Sequence, residues 1–481
     1  MPFSYLCHEV VVLIWSPPES YRVQSIHVMQ PKLILINPWI YDFAAYDLWS
    51  KPLGLLYLAG LLRSCGFKVH LFDCLDVYHP EMEDTPSMRP PLRRSYGTGK
   101  FWRKMVAKPL PLKPVPRPYS RYGISRQLFI KNLKSIENPA AILVTSLMTY
   151  WYPGVQEVIS IAKETHPGVP VILGGIYARL CREHALQNSG ADYVASAGNP
   201  NDLGFILEVM DHFSIPIPKK LEGDGALPYP AFDMLRKIDY VCLLTSTGCP
   251  YRCQYCASHL LNPNFRQRDP FHVLEEILYW HGSYGIQDFA FYDDALLLQS
   301  DIHVAVLLEQ LISVGKNLRF HTPNALHVRG ITRDMARLLR LSGFRTIRLG
   351  LETSDMALHR DLDRKLSEGE FERAIHNLRK AGFPGKDIGV YILMGLPGQP
   401  AESVAETIDF VGRTGATPYL AEYSPIPQTP MWEVALAHSD YDLSSEPLFH
   451  NNTLLPCWDE DQRAKVPDLK KKALEMRRGR T

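Results

Sequence analysis

A chain of 481 residues, 46% of them hydrophobic, has ample material for two or three buried cores. Its 52 Lys and Arg nearly cancel 51 Asp and Glu, so net charge singles out neither nucleic acid nor an anionic surface as a partner. Nine cysteines, three of them clustered, suit a reducing compartment rather than a secreted disulfide framework, and the longest strongly apolar run, 52–62, falls well short of the ~20 residues of a membrane span; the expected location is the cytoplasm, away from membranes.

Residues 1–30 are expected to form a poorly structured extension. Their apolar patch, 10–15, follows Glu9 instead of a basic stretch and precedes no small-residue cleavage site, which argues against a signal peptide. Met29 directly precedes the first convincing strand, so Met1 and Met29 both stand as start sites. That strand, 32–37 (KLILIN), ends in the turn signal Asn37-Pro38. Pro52 opens a helix that stops at Gly66, and 67–73 (FKVHLFD) reads as the next strand. Strand, helix, strand at this spacing is a βαβ unit and calls for a parallel sheet. The alternation resumes with strand 140–146, helix 153–165, strand 169–173 ending in Gly174-Gly175, helix 178–187 and strand 191–195. Residues 31–198 are thus expected to fold as a Rossmann-like doubly wound domain, with ligands outside the carboxyl ends of its strands.

An insertion at 77–130 interrupts this domain. Between 89 and 126 it is rich in Lys, Arg and Pro, lacks Asp and Glu, and carries Tyr96, Phe101, Trp102, Tyr119 and Tyr122. Basic and aromatic side chains together can grip an anionic partner such as nucleic acid or a phosphorylated metabolite; they can equally be a solvated loop packed down by its aromatics. A phosphate-cradling reading of Gly97-Thr98-Gly99-Lys100 fails, since Arg94 and Phe101 stand where a glycine and a hydroxyl residue are needed.

A Pro-, Gly- and Asp-rich linker, 199–239, leads into a second α/β run. Strands at 240–246, 288–292, 318–322, 346–350, 388–394 and 417–423 alternate with helices at 270–280, 302–314, 332–341, 368–380 and 401–413. Six strands are too few for a closed eight-stranded barrel, so 240–430 is expected to be a partial (β/α)6 TIM-type barrel with its site at the strand carboxyl ends. The tail, 431–481, has a lone Cys457 and a basic, helix-prone stretch at 465–480 expected to be solvated.

The first barrel strand runs into Thr247-Gly-Cys-Pro-Tyr-Arg-Cys-Gln-Tyr-Cys-Ala257, which places Cys249, Cys253 and Cys256 at C-x3-C-x2-C. Three thiolates on one loop can hold three corners of an iron–sulfur cube and leave the fourth iron open. A structural zinc site wants four ligands, and the neighbouring candidate, His259, lies three residues beyond Cys256.

These residues resemble the motif of the radical S-adenosylmethionine (radical SAM) enzymes. In that family the open iron chelates S-adenosylmethionine (SAM), and one electron from the [4Fe–4S] cluster splits it into methionine and a 5'-deoxyadenosyl radical. The resemblance assigns the cluster to Cys249, Cys253 and Cys256 and sets Tyr255 against the adenine. Asp293 or Asp294, at the end of the second strand, corresponds to the groups that meet the SAM amino end; paired carboxylates there could also be a helix N-cap. Glu352, in Leu349-Gly-Leu-Glu352-Thr-Ser354, matches the ribose or carboxylate-end motif, or else pairs with Arg345 or Arg348. Gly395, in Met394-Gly-Leu-Pro-Gly398, matches the stretch along the adenine, and Tyr423-Ser-Pro-Ile-Pro-Gln-Thr-Pro430 is similar to the family's segment after the sixth strand. No residue is singled out as catalytic.

The domain at 31–198 resembles the cobalamin-binding domain found upstream of many radical SAM cores, on Asn37-Pro38, Lys51-Pro-Leu-Gly54, Gly174-Gly175 and Gly190-Ala-Asp-Tyr193. It lacks the Asp-x-His-x-x-Gly signature whose histidine ligates cobalt, because Asp73-Cys-Leu-Asp-Val-Tyr-His79 does not supply it. Cobalamin is therefore a candidate third cofactor beside the cluster and SAM.

The leading expectation is an enzyme that abstracts hydrogen from an unactivated C–H bond, with or without methyl transfer from cobalamin. A small-molecule substrate ranks ahead of nucleic acid or peptide, and an electron donor such as ferredoxin or flavodoxin is implied. The alternatives are a cobalamin-free radical SAM enzyme acting on a nucleic acid or peptide, and a binding or sensory protein stabilised by a structural metal.

Overall fold

The computed structural model describes residues 30–82, 88–196, 203–219 and 228–479. The expected extension at 1–30, with both start sites, falls outside these residues apart from Gln30, as does part of the 199–239 linker.

Five parallel strands form the first sheet: β1 (Lys32–Asn37), β2 (Lys68–Asp73), β3 (Ala141–Val144), β4 (Val171–Leu173) and β5 (Tyr193–Val194), in the order β5-β4-β3-β1-β2. Leu33, Ile34, Leu35 and Ile36 of β1 are all fully buried, as a central parallel strand covered on both faces requires. Strand order reverses between β1 and β3, the topological switch point of a doubly wound sheet. The helix Leu53–Ser64 links β1 to β2, and Gly60 lets it close on the linker, since a Cβ there would fall 2.6 Å from the Tyr229 carbonyl oxygen.

The structure refines three features of this half. The helix expected at 178–187 is two short helices, Ile176–Leu180 and Arg182–Asn188, broken where the Cys181 backbone leaves helical geometry. The linker contains the helix Leu203–His212, whose Ile206, Val209 and Met210 pack against Leu55, Ala59 and Leu62. The basic insertion is no simple solvated loop. Its strands Arg103–Val106 and Tyr119–Tyr122 pair antiparallel and recruit Ile40–Asp42 as a third strand. Phe101, Trp102, Tyr119 and Tyr122 are buried, and Arg93 pairs with Asp47 at 2.8 Å. The aromatics are thus spent on packing, which favours the packed reading over an anion grip.

The second sheet is parallel and sequential: β6 (Val241–Leu243), β7 (Asp288–Phe291), β8 (Arg319–His321), β9 (Phe344–Glu352), β10 (Ile388–Met394) and β11 (Thr417–Glu422), with Leu326–His327 adding a short pairing to β9. The intervening helices lie outside it, giving the expected partial barrel. The two halves share a core. Trp49, at φ 70°, stacks on His321 at 4.2 Å and meets Tyr240 edge-on at 4.9 Å, while Leu53, Leu56 and Tyr57 join the barrel's apolar cluster. His321 is fixed in turn by Asp288 (3.1 Å) and Thr346 (3.0 Å).

The tail also departs from its expectation of being solvated. The helix Val466–Arg478 packs on Ala401–Thr414 and β11 through Leu469, Ala473 and Met476, an apolar stripe at three- and four-residue spacing. Its lysines face acids on those elements, Lys470 with Glu422 at 2.5 Å and Lys472 with Asp409 at 2.6 Å. No helix among the described residues is long and apolar enough to cross a membrane.

Candidate active site at the barrel mouth

The loop bearing the three cysteines is held at both ends. Where it leaves β6, Asp293 accepts hydrogen bonds from the Thr245 amide (3.0 Å) and hydroxyl (2.7 Å) and from the Ser246 amide (2.6 Å) and hydroxyl (2.7 Å). Ser246–Thr247 then pairs antiparallel with Arg266–Gln267, which closes the loop on itself. Gly248, at φ +75°, makes this possible, because a Cβ would fall 2.7 Å from the carbonyl oxygens of both Asn262 and Asn264.

Within the loop Cys249 and Cys253 are buried and Cys256 is half-buried, and all three are free thiols. They line one cleft of about 350 Å³ together with Asp294, Glu352 and Lys365. Burial raises the Cys249 thiol above its ordinary value and lifts that of Cys253 to about 11, so both stay protonated at neutral pH until a metal takes the proton's place. Cys256 accepts from the Ser258 amide at 3.4 Å, and its thiol donates to the Ser258 hydroxyl at 3.2 Å. No three His, Cys, Asp or Glu side chains among the described residues converge closely enough for a single metal ion. A four-iron cube is larger, and its thiolates stand around it instead of meeting at a point. His259, the fourth ligand weighed for zinc, is not among the cleft's lining residues.

The remaining candidates separate. Asp294 lines the cleft, whereas the neighbouring Asp293 is buried, does not line it, and spends its carboxylate on Thr245 and Ser246. Glu352 lines the cleft from a left-handed backbone (φ 65°) at an irregularity in the β9–β10 pairing. Gly350 leaves it room, since a Cβ there would lie 2.8 Å from Glu352 Oε1. Arg348 lies over the Tyr419 ring at 4.5 Å and donates to the Ile347 carbonyl at 3.0 Å, and the charges that act on Glu352 are those of Lys365, Asp363 and His359. Tyr255 does not line the cleft; its hydroxyl donates to Asp363 at 3.3 Å. Gly395 also lies outside the lining, its amide donating to Gln399 at 2.9 Å and its open side taken by Leu455.

Sequence reasoning missed Lys365. It follows the helix Met356–Leu362, an excursion after β9 with no barrel counterpart, and lies 5.9 Å and 5.8 Å from the ring centres of Tyr251 and Tyr255. Burial alone would favour its neutral form, but the neighbouring carboxylates of Glu352 and Asp363 pull the other way and its value lies above the ordinary one. Asp363 fixes the excursion by accepting from the Lys365 amide at 3.0 Å and meeting His359 at 3.1 Å. No periodicity or short motif marks this residue.

Burial lifts the Glu352 carboxyl from its ordinary 4.5 to about 6, against the pull of Lys365. A carboxyl with a raised folded-state value contributes most to stability in acid and loses that contribution as pH rises through about 6. Glu352→Gln should therefore stabilise the ligand-free protein by up to about 2 kcal/mol at pH 8 and by much less at pH 5, as read by urea unfolding at both pH values. Equal effects at the two pH values would contradict the assigned burial.

Fold and cleft define the class: a Rossmann-like sheet fused to a partial parallel barrel, with a thiol-lined cleft at the barrel's carboxyl edge. Residues 243–411 match the family model of the Radical SAM superfamily, and 125–200 match that of the B12 binding domain. The barrel thus carries the radical SAM match, and the later part of the Rossmann-like sheet the B12-binding match. It is 27% identical over 240 residues to an uncharacterized methyltransferase of Pyrococcus horikoshii, covering 46% of this chain and 48% of that protein, about half the relative's length. It is 21% identical over 455 residues to the cytidylyl-2-hydroxyethylphosphonate methyltransferase of Streptomyces wedmorensis, covering 81% of this chain and 76% of that one. Among solved structures it resembles the radical SAM methyltransferase TsrM from Kitasatospora setae, bound to tryptophan substrate and a SAM analogue, with a TM-score of 0.63, 16% identity, and 92% and 89% of the two chains covered.

Proposed function

We propose that this chain is a radical SAM enzyme that holds a [4Fe–4S] cluster on Cys249, Cys253 and Cys256, binds SAM in the adjoining cleft, and acts on a small molecule, with methyl transfer as its outcome. The observation that carries this reading is the meeting of three free thiols with Asp294, Glu352 and Lys365 in one cleft at the barrel mouth. When bound, the cluster supplies the electron that splits SAM.

The chain's own residues have separable tasks. Asp294 and Glu352 offer acceptors to the amino group and ribose hydroxyls of SAM, the device by which a carboxylate reads a ribose in dinucleotide folds. Lys365, the one Lys or Arg lining the cleft among the described residues, faces the carboxylate end. Tyr255 backs the site and braces the Lys365 excursion through Asp363. The partly buried walls keep water away from a reactive species. Methyl transfer draws its support from the methyltransferase relatives and the B12-binding match. The buried aromatics of the insertion favour a small substrate over a nucleic acid. We infer an external electron donor, such as ferredoxin or flavodoxin, and a reducing cytoplasmic setting, which suits described cysteines that are all free. The working units inferred are 31–198 and 240–430, joined through 199–239 and followed by 431–481.

Anaerobic reconstitution with iron and sulfide, followed by chromatography for 5'-deoxyadenosine, tests the reading; a loaded cluster with no SAM-derived product would overturn it. Lys365→Met should weaken SAM binding about 10- to 100-fold, the worth of a buried charge-assisted hydrogen bond, while leaving iron content unchanged. Calorimetric titration with SAM reads the first effect and iron analysis the second.

A further inference from the structure

We propose that Arg348 holds an oxyanion of the substrate, a carboxylate or a phosphoryl group, inside the barrel beneath the SAM cleft. This names the substrate class of the site and rests on the small-molecule reading above. Successive side chains on a strand point to opposite faces. On β9, Ile347, Leu349 and Leu351 enter the core shared with the helices, while Gly350 and Glu352 line the cleft. Arg348 stands two residues before Gly350, so it faces the inside of the barrel, roughly 7 Å further down the strand. The next strands present Gly389 opposite Arg348, Tyr391 opposite Gly350, and Tyr419 of β11 opposite Tyr391. Tyr391 also lines the cleft and so joins it to the guanidinium.

Arg319 and Arg348 both face this interior, and they differ in what meets them. Arg319 donates to the Asp288 carboxylate at 2.7 Å. Arg348, half-buried, has instead the face of Tyr419 at 4.5 Å, the Ile347 carbonyl at 3.0 Å and the Tyr391 hydroxyl. Tyr391 spends its own proton on the Pro323 carbonyl at 2.9 Å, so it meets Arg348 as an acceptor. Gly389 gives the guanidinium its place, since a Cβ there would fall 2.7 Å from Arg348 Nη1. Nor does a nearby charge compensate it. Glu352 answers to Lys365, Asp363 and His359, and burial keeps His321 neutral, with Arg319 and Arg348 adding to that effect.

A guanidinium carries five N–H donors, and a carbonyl, a hydroxyl and a ring face leave several of them and the charge itself unmatched. Partial burial makes a cation costly until an anion joins it. The planar fork fits two oxygens of a carboxylate or phosphoryl group, and a neutral analogue would leave it unpaired. A substrate gripped there by its anionic end extends past Tyr391 toward the SAM cleft.

The test is saturation-transfer NMR of the reconstituted full chain with three probes at constant ionic strength: propionate, methylphosphonate and the uncharged propionamide. The expected result is binding of at least one anion and none of propionamide, with the anion bound naming the group the substrate carries. Arg348→Met should weaken that anion at least about tenfold, and Arg348→Lys, which keeps the charge without the fork, by less. Arg345→Met, which removes an exposed arginine from the same strand, should leave it unchanged. Equal saturation of the anions and propionamide, no anion binding by the parent, or equal affinity in the parent and Arg348→Met would each overturn the proposal. So would an Arg348→Met chain that no longer folds, because a cation required for folding already has its partners within the protein. Formation of 5'-deoxyadenosine by the parent reports separately on the cluster and SAM, so failure of the anion site is distinguishable from failure of the enzyme.

Discussion

Cys253→Ala is expected to abolish both cluster assembly and 5'-deoxyadenosine formation, a loss larger than the ~100-fold typical of removing a group that merely orients a metal ligand. Cys253 is the most buried of the three site thiols, and the loop around it is pinned by the Gln254 amide to the Leu362 carbonyl (2.9 Å) and by the Met431 amide to the Gln254 carbonyl (3.1 Å). A neighbouring donor cannot slide into its place without breaking both contacts. Cys457→Ala is the control, since that thiol is buried among Leu443, Ala435 and Met431 with its sulfur 4.0 Å from the Ala435 carbonyl oxygen. Iron and sulfide per chain, with the visible spectrum after anaerobic reconstitution, separate the two variants. Full iron loading in Cys253→Ala would remove the basis for assigning the cluster to this loop.

The sequence carried the strands and cysteines because both are local signals. β1 and β10 are nearly continuous apolar runs, the mark of strands covered on both faces, and their bounds agree with those read from the sequence. C-x3-C-x2-C is equally local, as three thiols on one short loop need no distant partner to be noticed. What escaped depends on residues far apart in the chain. The insertion gains its sheet only by recruiting Ile40–Asp42 from some eighty positions upstream, and Lys365 reaches the cleft through the Tyr255, Asp363 and His359 contacts. Trp49 carries no motif at all, yet it joins the two halves by stacking on His321. The tail helix was read by its charge, which hid the stripe of Leu469, Ala473 and Met476 beneath it.

Asp293 and Asp294 mark the limit of what a strand end discloses. Adjacent side chains on an extended chain point to opposite sides, so the two carboxylates had to divide the roles, but the sequence holds nothing that says which takes which. In the structure Asp293 turns back to Thr245 and Ser246, and Asp294 faces the cleft. Opposite phenotypes follow. Asp293→Ala leaves two buried amides and two hydroxyls without their acceptor, and the hydroxyls alone can turn elsewhere; the expected cost is about 3–5 kcal/mol, with the cysteine loop disordered and iron uptake falling in step. Asp294→Ala removes a carboxyl that burial holds above its ordinary value, so folding should be unchanged or slightly improved while SAM binding weakens about tenfold or more. Urea midpoints and SAM titrations on the two variants decide the matter. If Asp294→Ala unfolds the chain and Asp293→Ala only weakens SAM binding, the assignment is reversed, and the cysteine loop must be anchored by something other than the end of β7.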